Sequence, residues 1–222
     1  MYSFHAALIT MAYLADLLLF VPKYTRCKFD GTKRKKKLMW KGICVGIPFL
    51  VLVIETILAG FSKELTVSNY ILILAMALCG VGDIYLEIKF VRGGKLFFFG
   101  HVCYIVSMIL LTEEMNASVF LVFALMIAIG TLLTVWKLSK KYRFYLIVYN
   151  IAISGTFAFS LPLIMNGKPA LVLLGTGACF LMFSDWLLAR NKKYGNTFTW
   201  SLISLLFYFG GQILISAYPF LM

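Results

Sequence analysis

The stretch ILILAMALCGVGDIYLEIKF, residues 71–90, combines a long apolar run with two acidic side chains near its end. Asp83 and Glu87 are four residues apart, a spacing that places both side chains on one face of a helix. In water such a pair would sit at a solvated rim, whereas inside a membrane it would be costly. The solvent around this segment therefore decides what the two carboxylates can do.

The composition of the chain indicates a membrane. Of its 222 residues, 62% are hydrophobic and 14% are charged, whereas a soluble domain is about one quarter charged. An apolar run of about 20 residues can cross the roughly 30 Å hydrocarbon core as a helix. We count eight such runs and predict an all-α integral membrane protein, an eight-transmembrane-helix bundle forming one polytopic domain over residues 1–222. The predicted spans are 5–21, 42–60, 70–90, 97–112, 117–136, 144–165, 169–189 and 198–218.

The basic residues support this count and predict its orientation. The loops after the first, third, fifth and seventh spans hold nine, three, four and three Lys and Arg residues, which is 19 of the 21 in the chain. The other two are Lys63 and Lys168. Because short loops rich in Lys and Arg stay in the cytoplasm, we expect both termini on the non-cytoplasmic side of a multi-pass protein, in the cell membrane if the host is a bacterium.

The first of these loops, PKYTRCKFDGTKRKKKLMWK at residues 22–41, supplies much of the net charge of +12. A polybasic segment beside a bilayer is attracted to anionic lipid headgroups. Nucleic-acid binding is the alternative, but the run carries no aromatic interleaving and no binding fold accompanies it. We therefore predict membrane lipids, and no nucleic acid, as partners of the basic loops.

Five polar residues of the spans share one depth. Each lies five to seven residues from a cytoplasmic Lys or Arg, which is roughly 8 to 10 Å at about 1.5 Å per residue. The five are Asp16, Asp83, His101, Asn150 and Asp185. Glu87 lies two residues from Lys89 and is interpreted as an interfacial carboxylate that reaches water. An ionisable residue at membrane depth is a functional hypothesis by default, although Asp16 also fits a structural role.

Asp83 and Asp185 form the main candidate for chemistry. Two carboxylates facing one cavity of low dielectric cannot both ionise easily, so one holds a proton while the other is an anion. Such a pair is a ready acid and base, and the sequence leaves open which aspartate is the acid. No metal and no cofactor are expected, because the only histidines, His5 and His101, fall at opposite sides of the membrane.

Several segments resemble the YhhN-like membrane proteins, which include the lysoplasmalogenases. They are CGVGDIYLEIKF, FFFGHVCYI, FLMFSDWLLARNKKYG and FYFGGQILISA, in the third, fourth, seventh and eighth predicted spans. Family members usually carry a proline soon after a lysine at the start of the second span, whereas here Pro48 follows Lys41 by seven positions.

The resemblance implies hydrolysis of the vinyl ether bond of lysoplasmalogens, with a lysophospholipid as substrate and a fatty aldehyde as product. It implies that Asp83 and Asp185 are the catalytic carboxylates. Further substrate-binding residues implied by it are Lys41 at the headgroup, His101, Tyr104, Tyr208 and Gln212. Asn150 joins these candidates because it shares the depth of the polar layer.

A transporter or a lipid-binding protein is the competing class, with the acidic layer serving as a polar or proton pathway. Release of aldehyde from a lysoplasmalogen would favour the enzyme, while flux across liposomes without chemical change would favour the alternative. Headgroup and chain-length preference, another lyso-lipid as substrate, and the oligomeric state are left open by the sequence.

The charge pattern of the loops predicts the location of the C-terminus. A reporter that is active only in the cytoplasm, fused after Met222, should stay silent, because eight spans return the chain to the side on which it began. The same reporter fused in the polybasic loop near Lys35 is the positive control. A strong signal from the C-terminal fusion would show that the number of spans is odd or the orientation inverted.

Overall fold

The computed structural model describes residues 2–61, 65–112, 117–135 and 140–221. This part of the chain is almost entirely helical and contains no strand. The helices are α1 (Tyr2–Ala15), α2 (Val21–Phe29), α3 (Arg34–Gly60), α4 (Val67–Ile88), α5 (Phe90–Leu111), α6 (Ala117–Val135), α7 (Lys140–Asn166), α8 (Pro169–Tyr194), α9 (Phe198–Ser216) and α10 (Tyr218–Leu221). A π-helical turn, Asp16–Phe20, joins α1 to α2 without a break.

Each predicted span coincides with a helix, but several bounds differ. Helix α3 begins at Arg34, eight residues before the predicted start, and α5 begins at Phe90 instead of at residue 97. In both cases the helix continues past its apolar run into basic residues, because backbone hydrogen bonding does not require an apolar side chain. The predicted end of the fifth span, Trp136, lies outside the described residues.

Six helices are long and apolar enough to cross a membrane, as in a multi-pass membrane protein. They are α3, α4, α5, α7, α8 and α9. The described part of α6 that is apolar, Ala117–Leu132, is shorter, and α1 has only 14 residues before the π-helical turn. The count of eight spans and the side on which the termini lie therefore stay predictions.

The six long helices form a closed ring. Following the contacts around it, α3 packs on α4, α4 on α5, α5 on α7, α7 on α8, α8 on α9, and α9 returns to α3. Helix α2 packs against both α3 and α9, while α6 packs against α7. The ring creates an interior to which all six long helices can contribute side chains.

Glycines allow α8 and α9 to approach closely. A Cβ atom built on Gly177 would lie 2.7 Å from the carbonyl oxygen of Gly211, and one built on Gly211 would lie 2.7 Å from the carbonyl oxygen of Gly177. The two backbones therefore meet at these residues. Small residues at helix contacts favour association in membranes, where van der Waals packing replaces the hydrophobic effect as the main attraction between helices.

This contact predicts that alanine substitutions at two adjacent glycines differ in their effect on stability. Gly211→Ala should destabilise the protein by about 1–3 kcal/mol, because the new methyl group must push the α8 backbone away. Gly210→Ala is the matched control: its Cβ would lie 3.6 Å from Phe180, an ordinary contact. Thermal unfolding of both variants in detergent should show a lower midpoint for Gly211→Ala and an unchanged or higher one for Gly210→Ala. Equal midpoints would contradict the close approach.

Candidate functional site

The interior of the ring contains a cluster of buried polar side chains. Asp83, His101 and Asp185 are 4%, 2% and 7% exposed. Also buried are Lys41, Tyr104, Asn150, Tyr208 and Gln212. Every residue proposed from the sequence as a site residue is therefore removed from solvent, and the contacts decide which of them act together.

Asp83 of α4 pairs with Lys41 of α3. The Lys41 Nζ atom lies 3.0 Å from Asp83 Oδ1, and both side chains are about 95% buried. The second carboxylate oxygen, Oδ2, has no hydrogen-bond partner among the described residues. The Tyr208 hydroxyl of α9 also interacts with this carboxylate. A buried ion pair requires close geometry because both charges have lost their hydration.

Glu87, one turn further along α4, belongs to a second set of charges near the end of that helix. Its Oε2 atom lies 2.6 Å from Lys37 Nζ, and its Oε1 atom accepts a hydrogen bond of 2.6 Å from the Tyr24 hydroxyl. Lys41 Nζ is 3.9 Å away. The side chain of Glu87 is only 12% exposed, so the carboxylate is held by protein groups and does not simply reach into water as interpreted from the sequence.

Asp185 of α8 pairs with His101 of α5. The distance from His101 Nε2 to Asp185 Oδ2 is 3.2 Å. At the other nitrogen of the imidazole, His101 Nδ1 lies 2.9 Å from Thr156 Oγ1 of α7. The Tyr149 hydroxyl, also on α7, interacts with Asp185, and the Tyr149 ring packs edge-on against the imidazole. The imidazole is therefore fixed at both nitrogens and on one face.

A chain of three hydrogen-bonding side chains lies between the two acid–base pairs. Gln212 Nε2 donates to the Tyr208 hydroxyl at 3.2 Å, and the Tyr104 hydroxyl donates to Gln212 Oε1 at 2.9 Å. Tyr208 contacts Asp83, while the Tyr104 ring packs against His101. Asp83 and Asp185 are also close enough to interact electrostatically across this region. The cluster is thus continuous from Lys41 to Asp185.

Two members of the predicted polar layer point elsewhere. Asn150 Nδ2 donates to the Ile127 carbonyl and the Thr131 hydroxyl of α6, so the amide ties α6 to α7. Asp16 is fully buried in the π-helical turn, where Cys44 is its polar neighbour. Neither residue contacts the His101–Asp185 pair in the described interactions, and counting depth along a helix could not reveal this because depth does not specify direction around the axis.

A narrow cleft lies beside the cluster, between α3, α4 and α9. Its empty volume is about 180 Å³. It is lined by Val45, Pro48, Met76, Gly80, Tyr208, Phe209 and Gln212. Gly80 is one turn from Asp83, so the cleft leads toward the Lys41–Asp83 pair. The described residues contain no group of three or more His, Cys, Asp or Glu side chains arranged to hold a metal ion.

The sequence did not identify Tyr149 and Thr156 as site residues. Both are uncharged, and such residues are common in membrane helices as packing elements. They are seven residues apart on α7, which places them on one face two turns apart. The seven-residue spacing, together with the position of Tyr149 beside Asn150 of the polar layer, is the feature of the sequence that could have identified the two residues.

A ring of apolar helices around buried, paired charges defines a polytopic membrane protein with a polar cluster inside the bundle. The chain belongs to the YhhN family: the family model matches residues 37–218, from the start of α3 to the beginning of α10. This confirms the resemblance found in the sequence. The match includes all six helices of the ring and excludes α1 and α2. No curated protein and no solved structure matches the chain.

The Lys41–Asp83 pair predicts an asymmetric response to substitution. Lys41→Met should destabilise the protein by about 3–5 kcal/mol, because it leaves the Asp83 carboxylate buried without its cation. Asp83→Asn should cost less, since Lys41 keeps Glu87 within 3.9 Å. The double variant should recover part of the loss caused by Lys41→Met, which thermal unfolding in detergent would show as positive coupling.

Lys37→Met is the matched control for this series. Lys37 also pairs with a carboxylate, but its side chain is 23% exposed, so its loss should cost at most about 1 kcal/mol. Additive effects of Lys41→Met and Asp83→Asn, or equal losses from Lys37→Met and Lys41→Met, would contradict the buried pair.

Proposed function

We propose that the protein is a membrane-embedded lysoplasmalogenase, which hydrolyses the vinyl ether bond of lysoplasmalogens to a fatty aldehyde and a glycerophospho-headgroup. The observation that carries the proposal is the presence of two buried carboxylates, each paired with its own basic side chain, within one polar cluster. The general association of the YhhN family with hydrolase activity supports an enzyme.

The proposed reaction needs acid–base chemistry. A proton is added to the β-carbon of the vinyl ether, and the electrons of the double bond form the new C–H bond. The resulting oxocarbenium ion is captured by water, which loses its surplus proton to a base, and the hemiacetal then collapses to aldehyde and alcohol. One group must donate a proton and an anion must stabilise the cation and accept the proton of water.

The cluster contains groups of both kinds. Asp83 Oδ2, which has no hydrogen-bond partner among the described residues, is placed to accept a proton from water or to face a cation. Asp185 and His101 form a unit that can hold and release a proton. The charge of Lys41, 3.0 Å away, favours the anionic form of Asp83 against the cost of its burial. Burial strengthens each of these interactions, because the surroundings screen charge weakly.

The position of the cluster suits a single-chain lipid. The cleft between α3, α4 and α9 is apolar apart from Tyr208 and Gln212, and Lys37 with the polybasic α2–α3 region lies at the end of the bundle that we propose faces the cytoplasm. A lipid tail would therefore extend from Asp83 along the cleft, with the phosphate near the lysines. Since this cleft is much smaller than the roughly 300–1,000 Å³ of typical ligand sites, the helices lining it must separate to admit a lipid.

Substitution of either aspartate tests the proposal. Asp83→Asn and Asp185→Asn should each lower aldehyde release by about 10²- to 10⁴-fold, because asparagine keeps the shape but transfers no proton. The double variant should be little worse than either single, since members of a catalytic unit are not additive. Rates are measured on purified, folded protein with a lysoplasmalogen in detergent, and lyso-lipid binding should largely persist.

Glu55→Gln is the matched control, because Glu55 is also a buried carboxylate of a ring helix but lies 14 residues from Lys41 along α3. It should keep its activity, and Glu87→Gln at the rim should lose much less than either site variant. Full activity in Asp83→Asn or Asp185→Asn would show that the substituted aspartate is not catalytic. Solute or proton flux in liposomes without aldehyde release would instead support the transporter.

A further inference from the structure

The hydrogen bonds around His101 specify how many protons the His101–Asp185 pair carries. Thr156 Oγ1 donates its only hydrogen to the Ala152 carbonyl, 3.1 Å away on the preceding turn of α7. The same oxygen lies 2.9 Å from His101 Nδ1. When the hydroxyl hydrogen is directed at the Ala152 carbonyl, the contact with His101 is a hydrogen bond only if Nδ1 carries a hydrogen and donates it to Thr156.

The opposite nitrogen of the ring faces a carboxylate. His101 Nε2 lies 3.2 Å from Asp185 Oδ2, and a carboxylate oxygen without a proton accepts only from a donor. The Tyr149 hydroxyl also interacts with Asp185, and a donated O–H favours the ionised carboxylate. An ionised Asp185 requires a hydrogen on Nε2. Both ring nitrogens are then protonated, and the pair consists of an imidazolium and a carboxylate.

The other titratable groups near the pair do not alter this arrangement. Tyr104 lies on the same helix as His101, and its hydroxyl donates to Gln212. On α4, Cys79 and Asp83 interact electrostatically with Asp185 but make no described contact with the imidazole. Asp83 has its own cation in Lys41 at 3.0 Å. The imidazolium charge is thus balanced by Asp185 alone.

From this geometry we infer that the His101–Asp185 pair is the proton donor of the reaction, that Asp83 is the anion, and that Thr156 is a positioning residue that keeps Nδ1 protonated. The inference rests on the proposed function. In the first step the shared proton moves to the β-carbon of the vinyl ether, which leaves a neutral imidazole beside ionised Asp185. Water then adds to the oxocarbenium ion, its surplus proton passes to Asp83, and that proton returns to the pair before the next turnover.

The proton count can be measured without any substrate. The chain has two histidines, so His5→Gln leaves His101 as the single source of histidine signals. In protein labelled with ¹⁵N-histidine, both ring nitrogens should appear as protonated N–H signals at pH 7. An unprotonated Nδ1 would make Thr156 the donor to the ring and overturn the inference, whereas an unprotonated Nε2 would place the shared proton on Asp185 and leave the pair as the proton donor.

Two substitutions of Thr156 separate positioning from packing. Thr156→Val keeps the shape but removes the acceptor, so the ratio of doubly to singly protonated His101 at pH 7 should fall about tenfold, the usual effect of losing a hydrogen bond to a charged group. Thr156→Ser keeps the hydroxyl and should behave as the parent. Aldehyde release should follow the same order, with kcat reduced about tenfold in Thr156→Val and KM little changed.

These measurements distinguish the inference from the function on which it rests. Two protonated nitrogens without any aldehyde release would preserve the proton count but refute the role of the pair as donor in vinyl ether hydrolysis. Aldehyde release with an unprotonated Nδ1 would preserve the function and refute the assignment of the donor. If Thr156→Val does not fold, the spectrum of the His5→Gln protein and the comparison with Thr156→Ser still decide the protonation state.

Discussion

A charge inside an apolar helix bundle needs a partner, and the arrangement of this site follows from that constraint. An unpaired ionised side chain at membrane depth costs at least about 2.5 kcal/mol on insertion scales. Asp83 is neutralised by Lys41 from the adjacent helix α3, and Asp185 is paired with His101 from α5. The first pair joins α3 to α4, and the second joins α5 to α8. They specify which faces of the ring helices turn inward.

Separate partners give the two aspartates different surroundings. If the carboxylates faced each other without partners, they would share one proton and titrate as a pair. With a lysine beside Asp83 and an imidazole beside Asp185, the proposed mechanism uses the first carboxylate as the anion and the second as part of the unit that releases a proton. The side chains of Tyr208, Gln212 and Tyr104 form a hydrogen-bonded chain between the two pairs, so the proposed acid and anion are close but not interchangeable. An enzyme that protonates carbon needs this separation of acid from anion.

The sequence predicted the helices well because apolar length is a one-dimensional property. It also placed Asp83, His101 and Asp185 at one depth, and the structure shows all three buried inside the ring. Asn150 has the same depth but turns toward α6. Counting residues along a helix gives the depth of a side chain but not its direction around the helix axis. Thr156 and Tyr149 were missed because their importance arises from contact with His101 and Asp185.

Lys41 shows the limit of hydropathy in a different way. A span that ends at the first lysine excludes Lys41 from the second span, yet the side chain is 3% exposed because Asp83 compensates its charge. The residue is therefore inside α3 and inside the site. Only the pairing of two residues 42 positions apart in the chain explains its burial, and a single sequence contains no direct signal for that pairing.

The most direct test of this account is the isotopic composition of the aldehyde released in heavy water. Purified protein is incubated with a lysoplasmalogen in D₂O, and the product is analysed by mass spectrometry against authentic aldehyde kept in the same buffer, which corrects for spontaneous exchange. Protonation of the β-carbon by an acid that exchanges with solvent predicts one deuterium at the carbon next to the aldehyde group. Aldehyde without that deuterium, or no aldehyde at all, would contradict acid–base hydrolysis at the buried carboxylates.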